Sequence, residues 1–259
     1  MPICDIDIST VRKWQNELIS HENGYAPTYL KTVHNQLSAI FNFAVKYYKL
    51  PSNPASACGS MGKKKAESMQ FWTKEEFDSF IKCVSDKPLS KVVFHLFFYS
   101  GMREGELLAL TLNDFDFDNN TVSITKNYAR LGYEEIIQAP KTPKSKRTIT
   151  LPAEIMEMVK EYSSMLYDYK PTDRLFLTSK QSLTREMIRG CTASGVKRIR
   201  IHDLRHSHAS LLIELGFAPL LISERLGHEN IETTLNTYSH LYPNKHGEVA
   251  EILSKLIQN

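Results

Sequence analysis

Apolar residues recur at helical spacing along most of this chain. Over residues 9–20, Val11, Trp14, Leu18 and Ile19 share one face, which predicts a capped amphipathic helix. A longer helix is expected from about Pro27 to Tyr48, its stripe marked by Leu30, Val33, Leu37, Ile40, Phe41, Ala44 and Val45. Leu50-Pro51-Ser52-Asn53-Pro54 stops it, because a proline disfavours helix at the residue before it. The result is a helical unit of roughly 55 residues, a size that is marginal on its own. Residues 56–70 hold Gly59, Gly62, Lys63-Lys64-Lys65 and Ser68 with few large apolar residues, the composition of a linker. The expected division is a helical domain over 1–58, a linker over 59–71 and a larger domain over 72–259.

In the larger part, Thr73-Lys74-Glu75-Glu76 fits a capping box and opens a helix to about Val84. A strongly apolar helix over about Leu89–Ser100 reads as buried. Gly101-Met102 breaks it, and a helix resumes from Arg103 to Leu110. Phe115-Asp116-Phe117 and Val122-Ser123-Ile124 flank Asp118-Asn119-Asn120, the signature of a hairpin. Further strands are expected at about 134–139 and 147–151, around the basic turn Lys141–Lys146. From Pro152 the pattern is helical, with a short strand at 175–177, and the last helix is expected over about Gly247–Ile257. The fold class is therefore mainly α with a small antiparallel β-sheet (α+β).

Composition changes this picture little. The 42% hydrophobic content supports a packed core, and no run approaches the roughly 18 apolar residues of a membrane helix. Met1-Pro2-Ile3-Cys4-Asp5 carries no signal-peptide pattern, so a cytoplasmic location is expected. Cys4, Cys58, Cys83 and Cys191 form no CxxC pair, which argues against a disulfide framework and a zinc-thiolate site. Net charge is only +3, but its placement is uneven. Lys63-Lys64-Lys65 form one cluster, and Lys141, Lys144, Lys146 and Arg147 another. Arg185, Arg189, Lys197, Arg198 and Arg200 form a third. Such clusters suit a phosphate backbone, although any one alone is more often a solvated face. Lys63, Lys64, Lys65, Lys144, Lys146 and Arg147 are the candidate DNA-contacting residues.

Five features follow in order: Gly101-Met102-Arg103-Glu104-Gly105-Glu106-Leu107; Lys141-Thr142; His202-Asp203-Leu204-Arg205-His206; Leu226-Gly227-His228; and Thr237-Tyr238-Ser239-His240. Together they fit phosphodiester cleavage, which needs a nucleophile, charge stabilisation on the phosphorus oxygens and a proton for the leaving oxygen. Arginine bonds two phosphate oxygens at once and stays charged, so Arg103 and Arg205 could clamp the non-bridging oxygens. Arg103 could equally be a helix-start partner of Glu106. An ammonium between the strands could reach a leaving 5′ oxygen, and Lys144 and Lys146 compete with Lys141 for that task. His202 could take a proton from a tyrosine. His206, His208 and His240 read as structural, and His228 as a hydrogen-bond donor to the phosphate. A phenol with pKa near 10 needs a base and nearby positive charge before it attacks. Tyr242 is the rival nucleophile to Tyr238.

The ordered set, spanning about residues 72–242, resembles the tyrosine recombinase (phage integrase) family, of the phage and conjugative-transposon type. Residues 9–55, ending in Asn53-Pro54-Ala55, resemble the family's helical core-DNA-binding domain. The resemblance implies such a domain followed by a catalytic domain, with Arg103, Lys141, His202, Arg205, His228 and the nucleophile Tyr238 as site residues. It implies site-specific recombination through a 3′-phosphotyrosine bond, for integration or excision of a mobile element of bacterial or phage origin. That bond conserves the energy of the broken phosphodiester, so no metal, ATP or other cofactor is expected. Double-stranded DNA is the implied partner, with four protomers on two duplexes and accessory DNA-bending or directionality proteins. Nothing here resembles the N-terminal arm-binding domain that such integrases often carry. The helix that would precede Ile6 is also missing, so a partial helical domain is expected. Three other readings stand beside this one: a type IB topoisomerase, which shares the chemistry; a helix-turn-helix regulator built on Pro219–His240; and a metalloprotein using His202, His206 and His208.

Overall fold

Asp7 opens the first helix. Its carboxylate accepts from the Thr10 amide at 2.7 Å, an N-cap that starts α1 (Ile8–Ile19). Pro27, at the first turn where its missing N–H costs nothing, starts α2 (Pro27–Tyr48), and Lys49 ends it in the left-handed region. Asn53 caps the short α3 (Pro54–Cys58). These residues belong to the first of two units, Met1–Met69 and Gln70–Asn259. The computed structural model describes residues 1–22, 24–63, 69–132, 134–140, 142–242 and 254. Lys64, Lys65 and Lys141 lie outside the described residues, as does the helix expected over Gly247–Ile257, Ser254 apart.

The first unit packs Val11, Phe41, Ala55 and Cys58 against Ile6, Trp14, Leu37 and Leu50. Its core is narrower than the apolar stripes suggest. Ile19, Ile40 and Val45 are exposed, while the polar pair Gln15 and His34 is buried. Gln15 donates from Nε2 to the Gly59 carbonyl at 2.8 Å, and the same nitrogen lies 3.2 Å from His34 Nδ1. Residues 59–63, expected to begin the linker, are instead held on this unit. Met61 is buried, and the Lys63 amide donates to the Pro27 carbonyl at 3.0 Å.

The second unit opens on Trp72, fully buried, with its indole N–H donating to the Lys197 carbonyl at 2.8 Å. The capping box at Thr73 and Glu76 is present and starts α4 (Lys74–Lys82). Next comes α5 (Pro88–Ser100), buried on most sides by Val92, Val93, Phe94, Leu96, Phe97 and Phe98. A short α6 (Glu104–Leu108) follows. The expected hairpin is formed by β1 (Phe115–Asp116) and β2 (Thr121–Ile124), with Asn120 left-handed in its turn.

Here the sequence reading needs correction. An unexpected strand, β3 (Asn127–Leu131), pairs antiparallel with β4 (Glu134–Gln138) as a separate two-stranded sheet. The strand β5 (Arg147–Thr150) pairs with β2, in register Val122 opposite Ile149. The two strands flanking the basic turn therefore belong to different sheets, β1-β2-β5 and β3-β4. Residues 175–177 form no strand; Leu175 and Phe176 are buried there, and the Leu175 amide donates to the Leu110 carbonyl at 2.8 Å.

The remaining described elements are helical: α7 (Ala153–Ser164), α8 (Lys180–Ser194), α9 (Asp203–Glu214), α10 (Pro219–Leu226) and α11 (Ile231–Tyr238). The apolar faces of α7, α8 and α9 join α4, α5 and the three-stranded sheet in one core that includes Phe80, Val122, Met156, Phe176, Met187 and Leu204. No helix among the described residues is long and apolar enough to cross a membrane.

Gly101 joins this core to the site. It ends α5 with φ of +66°, and a Cβ there would lie 2.7 Å from His208 Cδ2 and 2.8 Å from Leu226 Cδ2. Gly101→Ala therefore adds backbone strain and overpacking together. It is expected to lower stability by about 2–4 kcal/mol, combining the left-handed penalty with crowding. Urea denaturation checks this, and a change within about 0.5 kcal/mol, the range of ordinary surface substitutions, would show that the position tolerates a side chain.

Candidate active site

Four of the five ordered sequence features meet in the second unit, and Arg205 ties them together. It lies in the first turn of α9 and is 3% exposed. Its guanidinium donates from Nη1 to the Gly101 carbonyl at 2.8 Å and from Nη2 to the Leu226 carbonyl at 2.7 Å. Gly101 stands two residues before Arg103, and Leu226 two before His228. One side chain thus fixes two loops 125 positions apart, from Gly101 to Leu226. Burial, then the charges of Arg103 and Arg147, press its pKa down to about 9, so it remains a cation at neutral pH.

Arg103 and Glu106 open the neighbouring cleft. The Glu106 carboxylate, 2% exposed, accepts from Arg103 Nη1 at 2.7 Å and from the Arg103 amide at 2.9 Å. It also accepts from Arg147 Nη2 at 2.8 Å and Nη1 at 3.2 Å. Burial alone would raise the Glu106 pKa, but Arg147 and then Arg103 outweigh it and hold the carboxyl below its usual range. Arg103, Glu106, Asn127, Gln138, Gly227 and His228 line a cleft of about 460 Å³, with Pro140 and Thr142 at its edge.

Arg147 needs a correction. Expected on a DNA-facing surface with Lys144 and Lys146, its side chain is only 6% exposed. Its place on β5 turns it under Gly227, where its Nε donates to the Arg225 carbonyl at 2.8 Å. Lys144 and Lys146 are exposed, as is Lys63 in the first unit. Lys144 donates to the Glu229 carbonyl at 2.9 Å.

The histidines sort by environment. His228 follows Gly227, the left-handed end of α10, and its Nδ1 lies 2.7 Å from the buried Thr234 hydroxyl. Burial, then Arg205, Arg103 and Arg147, push it down to about 3, so it is neutral. His202 precedes α9 and is exposed, and partial desolvation and then Arg205 lower its pKa. His206, expected to be merely structural, lies with Nδ1 2.7 Å from the Tyr238 hydroxyl. His208 is buried with both ring nitrogens engaged. Its Nδ1 bonds the Phe98 carbonyl at 2.8 Å, and Nε2 accepts from Arg225 Nε at 3.0 Å. It therefore does not join His202 and His206 as a third metal-binding nitrogen.

Tyr238 ends α11 and is 1% exposed. Burial lifts its pKa to about 12, with Arg205 pulling the other way. The Tyr242 hydroxyl is buried without a hydrogen-bond partner among the described residues. Sequence reasoning missed Glu106 as the hub of the arginines, Thr234 as the partner of His228 and the contact of His206 with Tyr238. The Arg103-x-x-Glu106 spacing at a helix start was the available signal for the first. Nothing in the sequence pointed to the other two.

Comparison with known proteins agrees with the geometry. Residues 70–245 match the model of the phage integrase family. The chain is 30% identical over 254 residues to the ICEBs1 integrase of Bacillus subtilis, an alignment that covers 91% of the chain and 68% of that protein. It is 28% identical to a tyrosine recombinase XerC-like protein of Caldanaerobacter subterraneus, over 99% of the chain and 73% of that protein. Among solved structures, the Tn1549 transposon integrase in complex with transposon right-end DNA superimposes with a TM-score of 0.78 at 19% identity. That match covers 100% of the chain and 88% of that structure.

Two outcomes test the electrostatics. Glu106→Gln leaves Arg103 and Arg147 without their shared anion and is expected to cost about 3–5 kcal/mol of stability, as breaking a buried ion pair does. The depressed histidines also set a pH dependence. Their folded pKa values, about 4 for His206 and about 3 for His208 and His228, lie below the unfolded value near 6.5. The unfolded chain thus binds more protons, so stability is full above about pH 6.5 and falls as pH drops toward 4. His208→Asn removes one of these groups. Its stability should decline less steeply than that of the unaltered protein between about pH 6.5 and 4. Equal slopes in denaturation series would mean that His208 binds its proton equally well in the folded and unfolded states.

Proposed function

The chain belongs to the phage integrase family, and we propose that it cuts and rejoins DNA by covalent attachment through Tyr238. It is a tyrosine recombinase, an enzyme of site-specific recombination that serves the integration or excision of a mobile element. One observation carries the assignment of its residues. Arg205 bonds the carbonyls of Gly101 and Leu226, two residues before Arg103 and His228, while its chain neighbour His206 meets the Tyr238 hydroxyl, which supports one site drawn from residues 135 positions apart, from Arg103 to Tyr238.

The proposed roles follow from the chemistry of each group. Tyr238 attacks the scissile phosphorus. Arg103 and Arg205 neutralise the charge that builds on its non-bridging oxygens, the preorganised stabilisation that dominates such reactions. His228, oriented by Thr234, donates a hydrogen bond to the same phosphate. Lys141 supplies the proton for the departing 5′ oxygen, and His202, at the head of α9, assists proton movement. The helical unit and Lys63, Lys64, Lys65, Lys144 and Lys146 hold the duplex through its backbone. Four protomers act on two paired duplexes, with accessory DNA-bending or directionality proteins, in the cytoplasm of a bacterial host. The reaction proceeds without metal or ATP.

A nicked suicide duplex carrying the cognate core site tests this directly, since the severed strand drifts away and traps the covalent complex. Tyr238→Phe should fold and bind DNA but form no covalent complex, while Tyr242→Phe should form it normally. Arg103→Ala and Arg205→Ala should slow cleavage by a factor that corresponds to about 3 kcal/mol or more, with far smaller loss of DNA affinity. Excess EDTA should leave the reaction unchanged, and the product should carry a free 5′ hydroxyl. Mass spectrometry that located the nucleotide on another residue would overturn the assignment of Tyr238.

A further inference from the structure

The base of the β3–β4 ribbon forms one wall of the cleft beside Arg103 and His228. Asn127 opens β3 and Gln138 closes β4, and the two stand directly opposite each other in the antiparallel register. Opposed residues put their side chains on the same face, with Cβ atoms about 5 Å apart. Both residues line the cleft. Two carboxamides thus stand together next to the spot assigned to the scissile phosphate.

The ribbon is fixed against the helix that follows Arg103. β3 meets α6 at Gly105, where a Cβ would lie 2.4 Å from Asn127 Oδ1 and 2.7 Å from the Tyr128 carbonyl oxygen, so only glycine admits the approach. Strands alternate their faces, so Tyr128 and Glu135 point away from the amides. On that far side the Tyr128 hydroxyl donates to Glu135 at 3.0 Å. Arg174 lies over the Tyr128 ring, 4.2 Å from its centroid, and donates to Glu135 at 2.9 Å and to the Leu108 carbonyl at 3.3 Å. One face of the ribbon is therefore anchored, and the other presents its amides in a set position.

These amides have little to do within the protein. Asn127 Nδ2 makes one long bond, 3.4 Å to the Tyr128 carbonyl. Neither Asn127 Oδ1 nor the Gln138 side chain has a hydrogen-bond partner among the described residues. Each amide carries an acceptor oxygen and two N–H donors, and no charge. Phosphate oxygens only accept, so a phosphate would leave both amide oxygens unpaired once DNA displaces water from the cleft. The edge of a base offers donor and acceptor together. A side-chain amide matches N6 and N7 of adenine with two bonds.

We propose that Asn127 and Gln138 determine sequence specificity at the point of cleavage, by reading the edge of an adenine in a base pair that flanks the scissile phosphate. The proposal rests on the reading that this phosphate lies beside Arg103 and is attacked by Tyr238. Arg103, Arg205 and His228 act on a phosphate, which is alike at every step of DNA and carries no sequence information. The amide pair adds the selection that they lack. A matching base completes the bonds of the amides and holds the phosphate in register with Arg103. A mismatched base leaves polar groups unpaired in a closed cleft, and that cost falls on the cleavage step.

The test is single-turnover covalent-complex formation on nicked suicide duplexes that carry each of the four base pairs at the two positions flanking the scissile phosphate. At one of these positions the unaltered protein should react roughly 10-fold or more faster with an A·T pair in the favoured orientation than with a G·C pair. Asn127→Ala and Gln138→Ala should each shrink that ratio severalfold, chiefly by slowing the favoured duplex. At that position 7-deazaadenine, which pairs normally but lacks the N7 acceptor, should slow the unaltered protein and make little difference to the variants. A role in merely shaping the cleft would lower all rates by one factor and keep their ratios, and that result would overturn the proposal. So would equal cleavage of all duplexes by the unaltered protein, a preference for G·C, or indifference to 7-deazaadenine. Gln138 is exposed, so its variant decides alone if Asn127→Ala does not fold. Mapping the adduct separates the two readings. No adduct on Tyr238 with any duplex overturns both, whereas an adduct on Tyr238 with unchanged ratios in the variants overturns the amide pair alone.

Discussion

Three guanidinium groups, Arg103, Arg147 and Arg205, are close enough for each to bear on the protonation of the others' surroundings. Like charges in a poorly solvated site repel by several kcal/mol at these ranges. Glu106 is what makes the arrangement tolerable. Its carboxylate bonds both Arg103 and Arg147 and stays ionised because they outweigh its burial. Arg205 receives no carboxylate in this set. It is held by the carbonyls of Gly101 and Leu226, which stabilise a guanidinium without cancelling its charge. The packing around the site follows from this constraint. Gly101 and Gly227 bring backbone close where side chains would collide with His208 or Arg147. Thr234 and the His208–Arg225 pair fill the polar valences that remain.

A site arranged in this way carries net positive charge. Glu106 offsets part of the positive charge, and the cleft beside it, lined by Arg103 and His228, faces outward. In the proposed reaction the scissile phosphate supplies the missing charge. The neutral state of His206 and His228 belongs to the same balance, because an imidazolium added to these arginines would cost more than it does in water. The protonated phenol fits as well. Burial lifts its pKa to about 12, so near neutral pH it adds no charge of its own.

Much of this was legible in the sequence, for identifiable reasons. The helix over Pro27–Tyr48 announces itself by a long stripe and a proline at each end, and the capping box at Thr73 and Glu76 needs only local rules. The ordered set of Arg103, His202, Arg205, His228 and Tyr238 was visible because each residue sits in a short stretch with a recognisable pattern. What failed was non-local. The strand Asn127–Leu131 has a polar and partly exposed pattern, so no hydrophobic run marks it, and the partner of the strand at Glu134–Gln138 was not visible. Arg147 was grouped with Lys144 and Lys146 by adjacency. A strand alternates its faces, so the next residue along can be buried while its neighbour is in water.

The histidines show the same limit at the scale of a single helix turn. His202, Arg205 and His206 share one motif, and sequence spacing cannot say which of the two histidines faces Tyr238, since residues four apart lie on the same side of a helix. The decision is made by α11, which arrives from 32 positions further along the chain and brings the phenol to His206.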